Sequence, residues 1–324
     1  MDKRVFIAAV GATISTTALS ILRIGTVADA VQKSGGTYNI LWLCLTAALL
    51  LALLFCGRTT RNTVPELNPL AVKAVGIGAV VVGCSMAISA VASLVTWLAD
   101  GQLPYPVNDP FRTSDVVLFY LFTALGVAAA VVMLFVGIRT ILGGRLPIGT
   151  FRFSTLLPVF WMWIRIARYE ISYVSSLQTA RHWQDLLMLV TQLLFWMAFA
   201  RLLSGASEKP PRLFAGTALC AGTTAAVACI ARVFAAPIDA ETATSVYGLI
   251  TASDLGVAVL AFALAFGWLS AACEQPSEPT VTENDDSHSD PDDELYDIHD
   301  TARQPLELED VINDIIQSIN NGEK

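Results

Sequence analysis

Eight apolar stretches fill most of the first 273 residues of this 324-residue chain, and each approaches the length a helix needs to cross a bilayer. They are Val5–Ile24, Asn39–Cys56, Ala74–Leu98, Val116–Ile138, Ser154–Val174, Gln184–Leu203, Leu213–Ala235 and Val246–Ala272. A hydrocarbon core about 30 Å thick takes roughly 20 apolar residues per helix, and it holds no water to satisfy loose backbone polar groups. The segments between the stretches, such as Pro65–Pro69, Asp100–Pro110 and Gly205–Pro211, collect proline, glycine and charge, as loops do. The expected fold is all-α, a polytopic membrane bundle of eight transmembrane helices. Composition agrees, with 54% hydrophobic residues, 15% charged residues and a mean hydropathy of +0.58. Soluble domains carry about a quarter of their residues as charge, so a water-soluble enzyme, a wholly disordered chain and a disulfide scaffold all fit poorly.

Orientation follows from the short loops, because basic residues are retained on the cytoplasmic side. With the N-terminus inside, the cytoplasmic segments hold eleven: Lys3, Arg4, Arg58, Arg61, Lys73, Arg139, Arg145, Arg152, Arg201, Lys209 and Arg212. The opposite loops hold three, Lys33, Arg112 and Arg181. Both termini are therefore expected in the cytoplasm, and the chain in the cytoplasmic membrane with lipid as its first partner. Trp42, Trp97 and Trp183 at outer ends, and Trp268 at an inner end, fall where interfacial aromatics sit. Two features pull against this topology. Met1–Arg4, an apolar run and Ala28-Asp29-Ala30 have the outline of a signal peptide, but the run is long and contains Arg23. The fifth stretch carries Arg165, Arg168 and Glu170, and a charge at a helix centre costs about 2.5–3.5 kcal/mol. Leaving that stretch out would put the basic residues of the last three loops on the wrong side, so the span is retained.

Cys44, Cys56, Cys84, Cys220, Cys229 and Cys273 lie within or at the ends of the stretches with no Cys-x-x-Cys pair, and they suit small apolar core residues. His182 falls in an outer loop, and His288 and His299 in the C-terminal tail. The sequence contains no zinc-ligand spacing, nucleophile elbow, phosphate loop or dinucleotide fingerprint. No metal, cofactor or nucleic-acid partner is expected. A non-enzymatic role fits better than an enzymatic one, although an intramembrane enzyme with residues dispersed over several helices stays open.

Ionisable residues inside spans carry the strongest functional signal, because desolvation demands a partner, a cavity or water. Arg165 and Arg168, three residues apart, share a helix face that Tyr169 and Ser172 continue, whereas Glu170 points elsewhere. The topology places Asp185, Arg232 and Asp254 in the same half of the bilayer. Three arrangements follow. In one, Arg165 and Arg168 line a polar pocket for an anionic group, tuned by Asp254, Asp185 or Glu170. In another, Arg165–Asp254 and Arg232–Glu170 are structural pairs between helices. In the third, Arg168 and Arg232 snorkel to the surface. Small residues recur at four-residue spacing as Ala79, Gly83 and Ala87, and as Ala218, Gly222 and Ala226. Such stripes suit close packing inside the bundle or across a homodimer. Thr13, Ser15, Thr16, Thr17 and Ser20 are expected to bond their own helix backbone rather than line a path.

The formal charge of −8 hides a division of the chain. Residues 274–324 hold sixteen acidic and two basic side chains, which leaves 18 basic and 12 acidic for residues 1–273. Residues 1–273 are read as the helix bundle, 274–304 as a disordered acidic linker, and 305–324 as a short amphipathic helix. Leu308, Val311, Ile312, Ile315 and Ile319 share one face of that helix. About fourteen residues do not hold a helix alone in water, so the face needs a surface. A cytosolic partner's groove is one, and the chain's own basic loops are another; a passive solvated tail is the third reading. The negative inner leaflet repels so acidic a segment.

Within residues 156–205, Pro158, Val159, Trp161 and Arg165 precede a short linker, an Asp185–Leu189 run and an Ala200–Gly205 ending. In this the segment resembles multi-pass membrane proteins of Gram-positive, Clostridia-like bacteria, a family with no assigned activity. The resemblance implies that the fifth and sixth spans form one unit and that the membrane is bacterial; it supplies no chemistry. The expected function is a non-enzymatic sensor, scaffold or assembly factor that recruits a cytosolic partner through its tail. The alternative is a transporter of small molecules or anions, or an accessory permease. Against it, no repeat between halves is visible and Pro158 is the only proline well inside a span.

Overall fold

A computed structural model of the chain describes residues 3–29, 36–57, 67–100, 113–149, 153–172, 179–205, 213–235 and 247–274. These belong to one compact unit, Met1–Pro276. The second unit, Ser277–Lys324, lies outside the described residues, and with it Leu308, Val311, Ile312, Ile315 and Ile319.

Among the described residues there are eight α-helices and no strand. They are α1 (Lys3–Asp29), α2 (Gly36–Cys56), α3 (Pro69–Asp100), α4 (Thr113–Gly143), α5 (Leu157–Ser172), α6 (Thr179–Ser204), α7 (Phe214–Ala235) and α8 (Tyr247–Glu274). Four of them contain segments long and apolar enough to cross a membrane: Pro69–Ala99, Val116–Gly143, Leu186–Ser204 and Ser253–Ala271. Val5–Ile21, Cys44–Cys56 and Phe214–Ile230 are shorter apolar segments of α1, α2 and α7. The helices turn aliphatic side chains outward, as Ile77, Ile88 and Val95 do on α3 and Val117, Val131 and Ile138 on α4. A water-soluble bundle would reserve that outer face for polar residues, so this is a membrane protein.

Helix ends follow local chemistry more than hydropathy. Asn68 caps α3, its side-chain oxygen accepting from the Leu70 amide at 3.3 Å, so the helix begins at Pro69, ahead of the apolar run. Pro158 stands in the first turn of α5, after a 3-10 turn at Ser154–Leu156. There its missing N–H costs nothing. The proline expected to lie well inside a span therefore stands at the start of a helix.

Close backbone approaches hold the bundle together. On the α3–α4 seam, a Cβ added at Gly137 would stand 2.8 Å from the Gly76 carbonyl oxygen, and one at Gly83 would stand 2.9 Å from the Leu134 nitrogen. The α3–α8 seam is as tight, with Gly78 against Leu260 and Gly256 against Val82. Gly57 meets Gly216 between α2 and α7, and Gly222 of α7 receives the Phe262 ring of α8. The small-residue stripes thus serve contacts within the bundle: Ala79, Gly83, Ala218 and Gly222 are all buried. α3 lies between α4 and α8, and α7 touches α1, α2, α6 and α8.

These contacts also fix which helix ends lie together. Gly76 near the start of α3 meets Ile141 near the end of α4, Gly267 near the end of α8 meets Ala71, and Phe214 at the start of α7 packs on Trp268. After α4 the chain turns back, and the Gly149 amide donates to the Leu203 carbonyl at 2.7 Å, next to Gly205, whose φ of +63° ends α6. Every exposed Lys or Arg whose side chain is described lies at this end of the bundle: Lys3, Lys73, Arg139, Arg145 and Arg201.

Some side chains depart from expectation. Trp268 is a core residue rather than an interfacial one, 1% exposed with its ring centroid 4.9 Å from that of Phe214. Cys44, Cys56 and Cys84 face outward, whereas Cys220 is buried and its thiol donates to the Leu50 carbonyl at 3.2 Å. Thr13 and Thr17, by contrast, behave as expected and donate to the carbonyls of Ala9 and Thr13, one turn back in their own helix.

Two alanine substitutions in one helix separate packing from propensity. Gly137→Ala forces α3 and α4 apart and is expected to lower stability by about 1–3 kcal/mol. Gly143→Ala, where an added Cβ meets nothing within 4 Å, is expected to be neutral or slightly stabilising. Thermal melting of the two variants in detergent checks the contrast.

Candidate functional site

The inward face of α5 is written with a helical period. Trp161, Arg165 and Arg168 stand at i, i+4 and i+7 and are all buried, so two arginines occupy positions that the period assigns to the core. α6 buries Met188, Leu189, Gln192, Phe195 and Trp196 on one stripe, and α8 buries Ser253, Asp254, Val257 and Ala258. Each of the three helices thereby brings at least one strongly polar side chain into the same interior.

The three meet as a closed network. Arg165 Nη1 lies 2.7 Å from Asp254 Oδ1, and Nη2 donates to Oδ2 at 3.0 Å, which is the forked pairing of a guanidinium with a carboxylate. The Gln192 amide nitrogen donates to Asp254 Oδ1 at 3.2 Å, and its oxygen lies 3.4 Å from Arg165 Nη1. Asp254 and Gln192 are 0% exposed and Arg165 6%. Removing either charge would leave the other buried without the opposite charge it now pairs with, a change that costs about 3–5 kcal/mol in proteins.

Aromatic rings complete the surroundings. The Arg165 guanidinium carbon lies 5.5 Å from the Trp161 ring centroid, and that of Arg168 lies 4.5 Å from the Phe122 centroid. Phe122 and Trp161 stack on each other at 5.8 Å and 28°. The negative faces of the rings favour both cations. Gly126 of α4 makes room for the indole, since a Cβ there would come within 3.2 Å of Trp161 Nε1. One aromatic pair shared by α4 and α5 thus serves two arginines.

The structure accordingly brings together Arg165 and Asp254 and buries Arg168 beside them on the α5 face. Tyr169 is half-buried against the core, and Glu170 stands on the exposed side of α5. Asp185 belongs to α6 and Arg232 to α7, but their side chains lie outside the described ones. Gln192, Phe122, Trp161 and Gly126 were not singled out as site residues from the sequence. A lone glutamine in the apolar run Leu189–Phe195 was the available signal. Among the described residues, no group of three His, Cys, Asp or Glu side chains is placed to hold a metal ion.

Comparison with family models, with curated proteins and with solved structures gives no match for this chain. The resemblance over residues 156–205 therefore assigns it to no family, and the site rests on its own geometry.

Single and double substitutions test the network. Arg165→Leu and Asp254→Leu are each expected to lower stability by about 3–5 kcal/mol, while the double variant, which removes both charges of the pair, recovers much of the loss. Melting of all four proteins in one detergent closes the cycle.

Proposed function

We propose that the chain is an eight-span protein of the cytoplasmic membrane with both termini in the cytoplasm, acting as a non-enzymatic sensor, scaffold or assembly factor. Its interior holds helices in register, and its C-terminal segment recruits a cytosolic partner. The observation that carries this reading is the closure of the buried network: the guanidinium fork of Arg165 is spent on Asp254, and Gln192 joins both. Such a network specifies how α5, α6 and α8 meet and leaves partner chemistry to the outside of the bundle. The gathering of Lys3, Lys73, Arg139, Arg145 and Arg201 at one end supports that end as the cytoplasmic one.

Two measurements test the proposal. Reporter fusions after residues 64, 150 and 324 are expected to report the cytoplasm, and a fusion after residue 108 the opposite side. Truncation after residue 273 is expected to abolish recovery of a cytosolic protein by crosslinking in cells while leaving the melting of the bundle unchanged. A truncated chain that retains every crosslinked partner refutes the recruiting role.

A transporter of small molecules or anions is the second reading, favoured by ionisable groups buried where three helices meet. It expects Arg165→Lys to stay folded and to lose anion flux that the parent protein shows in liposomes. Parent protein without flux removes it.

A further inference from the structure

The outer face of α4, which the network does not use, carries a lipid-shaped combination of groups. Ala130, Leu134, Gly137 and Ile141 turn toward α3. Roughly opposite them, Phe135, Ile138, Arg139, Leu142 and Gly143 line an open groove of about 440 Å³. Phe135 and Ile138 are about half exposed and Leu142 is 82% exposed. Against hydrocarbon these are ordinary contacts, and the groove runs about 12 Å along the helix.

A cation interrupts this apolar surface. Arg139 is exposed one turn before α4 ends, and among the described residues it has no hydrogen-bond or ion-pair partner. Arg145, also exposed, follows just past the end of the helix, in a turn anchored by the buried Pro147 and by the bond from Gly149 to Leu203. Both arginines lie at the end of the bundle that gathers the other exposed cations. At Gly143, between them, a Cβ would meet nothing within 4 Å, so the backbone lies open in the groove that Arg139 also lines.

Charge and shape together select the occupant. A small aqueous anion has no use for the apolar floor, and a zwitterionic lipid brings its own cation to a groove already lined by Arg139. We propose that this groove is a binding site for one anionic phospholipid of the leaflet at the basic end. An acyl chain lies along Phe135, Ile138 and Leu142, the phosphate meets Arg139, and Arg145 provides a second cation. The site adds a ligand that neither the buried network nor the recruiting tail involves.

The test uses the full-length protein with phosphatidylglycerol, phosphatidylcholine or inorganic phosphate as probes, read by lipid retention in native mass spectrometry and by melting temperature. Wild-type protein is expected to retain phosphatidylglycerol over phosphatidylcholine and to melt higher with it. Arg139→Gln is expected to weaken retention by up to about fivefold, the range of an exposed ion pair, and Arg139→Lys to restore most of it. Gly143→Leu, which fills the groove, is expected to lose retention, whereas Arg201→Gln, elsewhere at the same end, is not. A diazirine-labelled phosphatidylglycerol is expected to crosslink within residues 135–145 of the wild-type chain, a readout that needs no variant. Equal retention of the two lipids, undiminished retention by Arg139→Gln, crosslinks confined to other helices, or the same rise in melting temperature from phosphate alone would each overturn the proposal.

Discussion

Burying a cation away from water is costly, and the arrangement of α5, α6 and α8 follows from meeting that cost. Arg165 is compensated only if a carboxylate presents both oxygens to its fork, and Asp254 does so from another helix. Turning α8 by a single residue would swing Asp254 about 100° away, so the pairing sets the rotation of the helix. Gln192 bonds both members and thereby sets α6 as well. Within a bilayer, lipid tails are as apolar as leucine, and hydrophobicity gives helices no reason to choose one face over another. The choice falls to polar geometry at the network and to bare backbone at the glycine seams, where Gly76, Gly83 and Gly137 admit α3 and α4 to contact that larger side chains would forbid.

The helices were legible because hydrocarbon requires an apolar run of a certain length, and a helix was found at each of the eight runs. Their ends were less legible. Hydropathy marks where a side chain tolerates lipid, but the backbone stays helical until a cap or a proline stops it, so α3 starts at Pro69 and α5 takes Pro158 into its first turn. Ion pairing was partly legible: Arg165–Asp254 was one of the pairings that charge and depth allowed, since few carboxylates lie at the right level. Gln192 was not, because an uncharged amide in an apolar run shows neither period nor charge, and its partner is distant in sequence. Trp268 misled for a related reason. Its position near a helix end suits the lipid interface, but Phe214 opens the neighbouring helix at the same level and takes its ring into the core.

The closed network also bears on how the two functional readings differ in energy. For Arg165 to hold a transported anion, it must give up Asp254, and a buried carboxylate then loses its cation. The ligand would have to repay about 3–5 kcal/mol before any net binding appears. Only an anion that forks as a carboxylate or phosphate does could approach that, and Asp254 would repel it at the same distance. Transport through this site therefore requires α8 to withdraw as the ligand enters, so that Asp254 reaches water while Arg165 changes partner. The glycine seam of Gly78 and Gly256 opposes such a movement, because α3 and α8 touch through backbone atoms there and cannot separate without losing that packing. A scaffold asks for none of this. Its interior gains from a pair that does not open, and its exchangeable chemistry sits where cations remain exposed, at one end of the bundle.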